Sequence, residues 1–91
     1  MRARFPGAEF VIPGISDLER GEETVASLLV SIGAPRLRRA GLQVPLPMTD
    51  RPEERLYALL ADQDPFAAHS RYNALIRRLI SFERAAECDN G

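Results

Sequence analysis

The residue types best suited to binding chemistry form a short arginine cluster in the first half of this 91-residue sequence. In the segment IGAPRLRRAGL, residues 32–42, the cluster consists of Arg36, Arg38 and Arg39. The planar guanidinium group of arginine binds carboxylates and phosphates through paired hydrogen bonds. Cations near the C-terminus of a helix are also stabilised by the helix dipole. The cluster therefore favours helix-end charge, and an acidic protein partner or a phosphate group are the two alternatives.

A nucleic-acid site would need this cluster to join cations from the last predicted helix. Five arginines would then form one basic surface: Arg36, Arg38, Arg39, Arg77 and Arg78. A helix-turn-helix over residues 22–42 would place RLRRAG on the recognition helix, but Gly41 ends that helix after about two turns. The 12 basic and 13 acidic residues give a formal net charge of −1, whereas nucleic-acid-binding domains normally carry a local excess of positive charge. Nucleic-acid binding is therefore the second hypothesis for function.

The side chains that usually carry out catalysis or bind metals are scarce. His69 is the only histidine and Cys88 the only cysteine, so neither a multi-ligand metal site nor a histidine-activated nucleophile is expected. We interpret His69 as a partly buried structural side chain and Cys88 as an exposed thiol. The glutamate pairs at 22–23 and 53–54 lie at the starts of predicted helices, where capping and the helix dipole explain them. No phosphate-binding or dinucleotide-binding motif occurs, and we predict a protein that is not an enzyme and has no catalytic residue, metal or cofactor.

Targeting and membrane segments are also not expected. The first 15 residues, MRARFPGAEFVIPGI, are interrupted by two Pro-Gly pairs and lack the apolar stretch of a signal peptide. No apolar run approaches the roughly 20 residues that cross a bilayer. A single cysteine cannot form an intrachain disulfide. We therefore expect a cytoplasmic protein without a membrane partner.

Helical periodicity dominates the sequence after residue 15. Apolar residues recur at i, i+3, i+4 and i+7 in a first helix: Val25, Leu28, Leu29 and Ile32. A second helix starts near Asp50 and Pro52 and has an apolar stripe formed by Leu56, Leu59 and Leu60. The 45% hydrophobic fraction suits a globular domain of this length. These patterns predict an all-α fold.

Glycine and proline define the predicted boundaries. The two Pro-Gly pairs predict an irregular N-terminal arm over residues 1–15, followed by a capping signature at Ser16 with a glutamate three residues later. Gly33 is expected to end the first helix, and residues 35–40 to form a short separate one that is closed by a further glycine. The helical domain then spans residues 16–87 and is followed by a frayed tail over residues 88–91. We expect a small bundle of three main helices and a short fourth.

The longest helix, from Asp64 to about Glu87, carries the functional hypothesis. One broad arc of its surface is apolar: Ala68, Tyr72, Leu75, Ile76, Leu79, Ile80, Phe82 and Ala86. This arc either forms the intrachain core or leaves part of its surface for a second chain. The predicted partner-binding residues are Tyr72, Ile76, Leu79, Ile80 and Phe82, with Arg77 and Arg84 alongside. We therefore predict a small interaction or regulatory module that binds itself or a larger protein through this helix.

Overall fold

Four helices form the part of the chain that the computed structural model describes, residues 7–47 and 49–90. They are α1 (Ala8–Glu19), α2 (Val25–Arg39), α3 (Pro52–Gln63) and α4 (Ala68–Asn90). No β-strand occurs within these two segments. The predicted all-α fold with four helices is confirmed, although α1 lies largely where an irregular arm was predicted and the predicted short helix over residues 35–40 belongs to α2.

Helix α1 lies where the sequence predicts an irregular arm, and that prediction is wrong for residues 8–15. Residues 1–6 of the arm lie outside the described residues. Pro13 and Gly14 are inside the helix instead of forming a turn. A Cβ atom at Gly14 would lie 2.5 Å from Cγ2 of Val30 and would overlap the carbonyl of Ala26, so only glycine lets α1 approach α2 this closely. Burial of residues such as Val11 on this face, at about 1.5–3 kcal/mol per large apolar side chain, offsets the roughly 3 kcal/mol cost of an internal proline.

The first capping box lies eight residues later in the chain than predicted. Ser16 belongs to the last turns of α1 and does not cap a following helix. Thr24 and Ser27 form the box instead: the amide of Ser27 donates to Oγ1 of Thr24 at 3.0 Å, and the amide of Thr24 donates to Oγ of Ser27 at 2.8 Å. This reciprocal pair begins α2 at Val25. Ser27 occupies the N3 position, where the usual capping-box pattern has glutamate or glutamine, so the sequence pattern did not reveal this box.

Helix α2 continues through Gly33 and Pro35 to Arg39, so residues 35–40 are not a separate helix. Gly33 is needed for a close approach and not for a helix end, because a Cβ atom there would lie 2.8 Å from Cδ1 of Leu79 on α4. The predicted stop at Gly41 is confirmed. This glycine has a φ of 101°, and the next amide, that of Leu42, donates back to the carbonyl oxygen of Leu37 at 3.0 Å.

Helix α3 begins at Pro52, close to the predicted start near Asp50 and Pro52. Asp50 does not cap it, since the N-cap residue is Arg51, which makes no side-chain capping bond. Residues 42–47, which precede α3, form a connector without regular secondary structure. The side chain of Arg38 holds this connector by donating to the carbonyl oxygens of Val44 at 3.1 Å and Pro45 at 3.0 Å.

Helix α4 starts at Ala68 and extends through Asn90, so the predicted frayed tail is helical over residues 88–90, and Gly91 lies outside the described residues. Asp64 precedes the helix by a full turn. Its Oδ1 accepts from the amides of Phe66 at 3.1 Å and Ala67 at 3.3 Å. Asp64 therefore closes a tight turn between α3 and α4 and does not directly start the helix.

The hydrophobic core lies between α2 and α4, each of which packs against the other three helices, whereas α1 and α3 flank them without mutual contact in the described chain. The largest fully buried apolar side chains are Phe82, Leu28, Leu29, Leu37, Leu56, Leu60, Val11 and Val30. None of the four helices in the described segments combines the length and apolar character needed to cross a membrane.

Candidate protein-binding groove

Most of the apolar arc of α4 is buried in the intrachain core. Leu79 is 3% exposed and Phe82 is completely buried, so the prediction that these two side chains bind a partner is wrong. Phe82 lies beneath the start of α1: a Cβ atom at Gly7 would be 3.3 Å from Cβ of Phe82. The sequence prediction left this edge of α4 open because it did not expect a helix over residues 8–19.

The other predicted contact residues on α4 are half-buried. Tyr72 packs against Tyr57 of α3, with ring centroids 5.8 Å apart and ring planes at 56°. Burial raises the pKa of Tyr72 above its ordinary value of 10.0. Ile76 also packs against the core, and Ile80 is half-buried on the same side of the helix. This side of α4 therefore presents no continuous apolar surface.

Arg77 and Arg84 are exposed on the outer side of α4. Seven residues separate them, so at 100° per residue they lie nearly in line along the helix. Both positions are more than 130° from Leu79 around the helix axis, far from its buried face. They do not border an apolar groove, and the expected arginine rim on this side is absent among the described residues.

An open groove of about 610 Å³ lies on the opposite side of α4. All four helices contribute to its lining: Phe10, Val25, Gln63, Arg71, Ala74, Leu75 and Arg78. Its floor is apolar and is formed by half-buried Phe10 and Val25 together with nearly buried Leu75. Ala74 lies exposed at its side, where the absence of a longer side chain leaves the groove open. Its apolar floor makes this groove suitable for an apolar group of a ligand.

The charged residues that line the apolar groove are both arginines. Arg78 donates to Oε1 of Glu9 at 2.5 Å, and its guanidinium carbon lies 5.4 Å from the ring centroid of Phe10. Arg71 donates to Oε1 of Gln63 at 3.3 Å and forms no ion pair with a carboxylate in the described segments. Arg78 is thus already paired with a carboxylate of this chain, whereas Arg71 is available to bind a carboxylate of a ligand.

An exposed aromatic side chain lies in the turn beside this groove. Phe66 is 99% exposed, more than any other large apolar residue of the described chain. It lies between Gln63 and Arg71, whose side chains line the groove and bond to each other. The turn is held by the hydrogen bonds that Asp64 accepts from backbone amides. Phe66 is therefore presented to solvent by an ordered turn.

The predicted basic surface is divided among separate acidic partners. Arg36 pairs with two glutamates of α4: Nη1 lies 3.3 Å from Oε1 of Glu83, and Nη2 donates to Oε1 of Glu87 at 2.8 Å. Arg78 pairs with Glu9 of α1. Positions 78 and 83 are about 140° apart around α4, so these two arginines lie on different sides of the helix. Arg38 donates to carbonyl oxygens of the connector, so three of the five arginines already have hydrogen-bonded partners within this chain.

Glu83 is a buried carboxylate that the sequence prediction missed. It is 3% exposed, and burial raises its pKa above the ordinary value of 4.5 despite the opposing charge of Arg36. The hydrogen bond to Glu87 and the charge of Glu83 raise the pKa of Arg36 in turn. These contacts join α2 to α4, and none of the three side chains lines the apolar groove. We interpret them as structural.

The residues considered for catalysis are not assembled into a site. His69 is exposed, which corrects the expectation of partial burial, and its Nε2 lies 3.3 Å from Nδ2 of Asn73 one turn along α4. Cys88 is a free, exposed thiol. Within the described segments, no group of three or more His, Cys, Asp or Glu side chains is arranged to hold a metal ion. These residues offer no arrangement for acid–base or nucleophilic chemistry.

Sequence reasoning missed two floor residues of the groove, Phe10 and Val25. Phe10 was assigned to the irregular arm, and Val25 to a helix face that was treated only as core. The usable signal was the edge of α4 that carries Arg71 and Arg78, seven residues apart, beside the small residue Ala74. Two aligned arginines beside an apolar stripe indicate a rim, but the facing residues come from other helices.

Comparisons with known protein families, with characterised proteins and with solved structures found no match.

Proposed function

We propose that this protein is a small interaction module that binds an apolar, acidic protein segment in the apolar groove. As predicted from the sequence, the long helix α4 would bind the partner, but the proposed contact surface is its edge at Arg71, Ala74 and Leu75. The observation that carries the proposal is an open apolar floor bordered by an arginine without an acidic partner in the described chain. The proposal includes a regulatory, non-catalytic role and a cytoplasmic location.

A protein segment suits this groove better than a nucleic acid. Exposed apolar surface that is rimmed by polar groups is typical of protein-binding sites. Phe10, Val25 and Leu75 offer apolar contact, whereas affinity for nucleic acid depends mainly on several cations that neutralise phosphates. In this chain Arg36 and Arg78 already bind glutamates. The nucleic-acid hypothesis therefore has less support.

Peptide selection from a random displayed library tests the proposal. We expect enriched peptides to combine an aromatic or branched apolar residue with aspartate or glutamate, because the floor is apolar and the rim is cationic. Ala74→Glu places a carboxylate in the groove at an exposed position, so the fold should persist while peptide affinity falls at least about tenfold.

Ala58→Glu is the matched control, since it adds the same side chain at an exposed position of α3 outside the groove. It should leave peptide affinity unchanged. The proposal would be contradicted if no peptides were enriched, or if the selected peptides bound the Ala74→Glu variant as tightly as the original protein.

A further inference from the structure

We infer that the apolar groove is occupied by a second copy of this chain, through residues 62–66, which comprise the end of α3 and the start of the turn after it and are called here the aromatic turn. This inference rests on the proposed function and names the partner for the same groove. In the resulting dimer, Phe66 of each copy packs on the groove floor of the other copy.

The first support is the exposure of Phe66 itself. Phe66 is 99% exposed, whereas Leu46, the next most exposed large apolar residue of the described chain at 82%, lies in the connector and does not line the groove. A rigidly presented aromatic ring is an effective interface anchor because it buries about 150–250 Å² with little loss of conformational entropy. The hydrogen bonds from the amides of Phe66 and Ala67 to Asp64 fix the turn before binding. Phe66 therefore has the character of an anchor without a pocket in its own copy.

The second support is charge complementarity between the aromatic turn and the groove. Asp62, near the end of α3, and Asp64, its C-cap residue, precede Phe66 by four and two residues and are exposed. The groove is bordered by Arg71 and Arg78. With Phe66 on the apolar floor, the two carboxylates approach the arginine rim of the other copy. Arg71, which bonds only to the neutral Gln63 among the residues described, is the principal partner for these carboxylates.

The third support is the position of the turn relative to the groove. Gln63, which lines the groove, is three residues before Phe66, so their Cα atoms lie within about 11 Å of each other. Phe66 is nevertheless exposed and does not fold back into the groove of its own copy. The anchor and the groove therefore lie on one part of the surface. A two-fold axis through this surface lets each copy place its Phe66 in the groove of the other copy, so that the same contact is made twice.

The size of these contacts predicts a weak, reversible dimer. Two anchors of this kind bury much less than the roughly 1,200–2,000 Å² of a standard stable interface. We therefore expect dissociation at low concentration and dimer formation in the range of about 10 μM to 1 mM. Higher salt should weaken the dimer because exposed charge pairs are screened.

Sedimentation over this concentration range tests the dimer with single variants. Phe66→Ala and Ala74→Glu should each remain monomeric and folded, since both positions are exposed. Leu46→Ala is the matched control because Leu46 is 82% exposed but lies in the connector. It should dimerise like the original chain. An original chain that stays monomeric up to about 1 mM, or a Phe66→Ala variant that dimerises equally well, would overturn the inference.

Mixing the two monomeric variants tests the reciprocal contact. The Phe66→Ala copy keeps an intact groove, and the Ala74→Glu copy keeps an intact aromatic turn. Adding unlabelled Ala74→Glu protein to ¹⁵N-labelled Phe66→Ala protein should shift the amide resonances of Val25 and Leu75, whereas adding unlabelled Phe66→Ala protein should not. Equal responses to both additions, or none to either, would overturn the inference. If displayed peptides still bind the groove in that case, the inference fails alone; if they do not, the proposed function fails with it.

Discussion

The buried carboxylate of Glu83 on α4 faces Gly33 on α2 so closely that a Cβ atom at position 33 would lie 2.7 Å from its Oε2. The same glycine also faces the side chain of Leu79. One missing methyl group therefore permits both the close packing of the two central helices and the burial of an acid between them. Arg36, three residues after Gly33 on α2, supplies the counter-charge to Glu83 at 3.3 Å.

Gly33→Ala is expected to lower the free energy of unfolding by about 1–3 kcal/mol, because the added methyl group overpacks the α2–α4 contact. A glycine-to-alanine change in an unconstrained helix would instead stabilise it by roughly 0.5–1 kcal/mol. Urea denaturation measures the difference. Ser81→Ala on the exposed face of α4 is the control. A Gly33→Ala variant more stable than the original chain would show that the helices are not in close contact at this position.

The pH dependence of stability should carry an identifiable contribution from Glu83. Because burial raises its pKa in the folded state, Glu83 contributes stability that is fully present below its ordinary pKa of 4.5 and is lost as pH rises through the folded value. The free energy of unfolding of the original chain minus that of Glu83→Gln should therefore fall as pH increases above about 4.5. A difference that rises with pH would mean that the attraction of Arg36 dominates.

Glu23 provides a comparison of opposite sign. A hydrogen bond from Arg55 lowers the pKa of Glu23, with Nη2 of Arg55 at 2.5 Å from Oε1 of Glu23. Its contribution to stability is therefore present above the ordinary pKa and is lost as pH falls through the folded value. The corresponding difference for Glu23→Gln should rise with pH, and the measurement is again urea denaturation across a series of buffers.

Ile80→Glu and Phe82→Glu should differ sharply, although the sequence places both at the edges of one apolar arc. Phe82 is fully buried, so an unpaired carboxylate there should unfold the domain. Ile80 is half-buried, and its glutamate variant should stay folded with a modestly lower melting temperature. Circular dichroism with thermal melting distinguishes them. A folded Phe82→Glu protein would contradict the packing of α1 over α4.

The arginine cluster should contribute modestly to stability and little to DNA binding. Arg38→Ala removes hydrogen bonds to the connector and should cost about 1 kcal/mol, whereas Arg39→Ala, at an exposed position, should change stability by less than about 0.5 kcal/mol. Neither the original chain nor the double variant that combines Arg38→Ala with Arg39→Ala is expected to bind duplex DNA at physiological salt. Micromolar binding that the double variant loses would favour the nucleic-acid hypothesis.

The sequence predicts the all-α fold because helical periodicity is a local property of the chain. It fails where a tertiary contact overrides a local signal. Pro13 and Gly14 resemble a turn in isolation, but Gly14 is required where α1 crosses α2. Gly33 similarly resembles a helix end and is a packing position. Neither contact is visible until the partner helix is known.

The groove was only partly predictable for the same reason. The α4 sequence identifies a helix with an apolar arc and arginines along its edges, and Arg71 with Arg78 does border the groove. Which edge remains open depends on where the other helices pack. The N-cap residue of α1, Gly7, packs closely against Phe82, and Phe10 becomes part of the floor. The sequence prediction consequently favoured the wrong side of α4.

Methyl NMR of the Phe66→Ala protein during addition of the peptide ADQDPFAAHS, residues 61–70 of this chain, tests the groove most directly. Val25 and Leu75 methyl groups lie in the groove, whereas those of Leu56 and Leu60 are fully buried in the core. We predict saturable shifts of the groove methyl resonances and no change in the core methyl resonances. The response should be lost when the labelled protein also carries the substitution Ala74→Glu. No shift at Val25 and Leu75, or shifts centred instead on Tyr57 and Tyr72, would contradict the assignment of this groove as the binding site for residues 61–70 of a second copy.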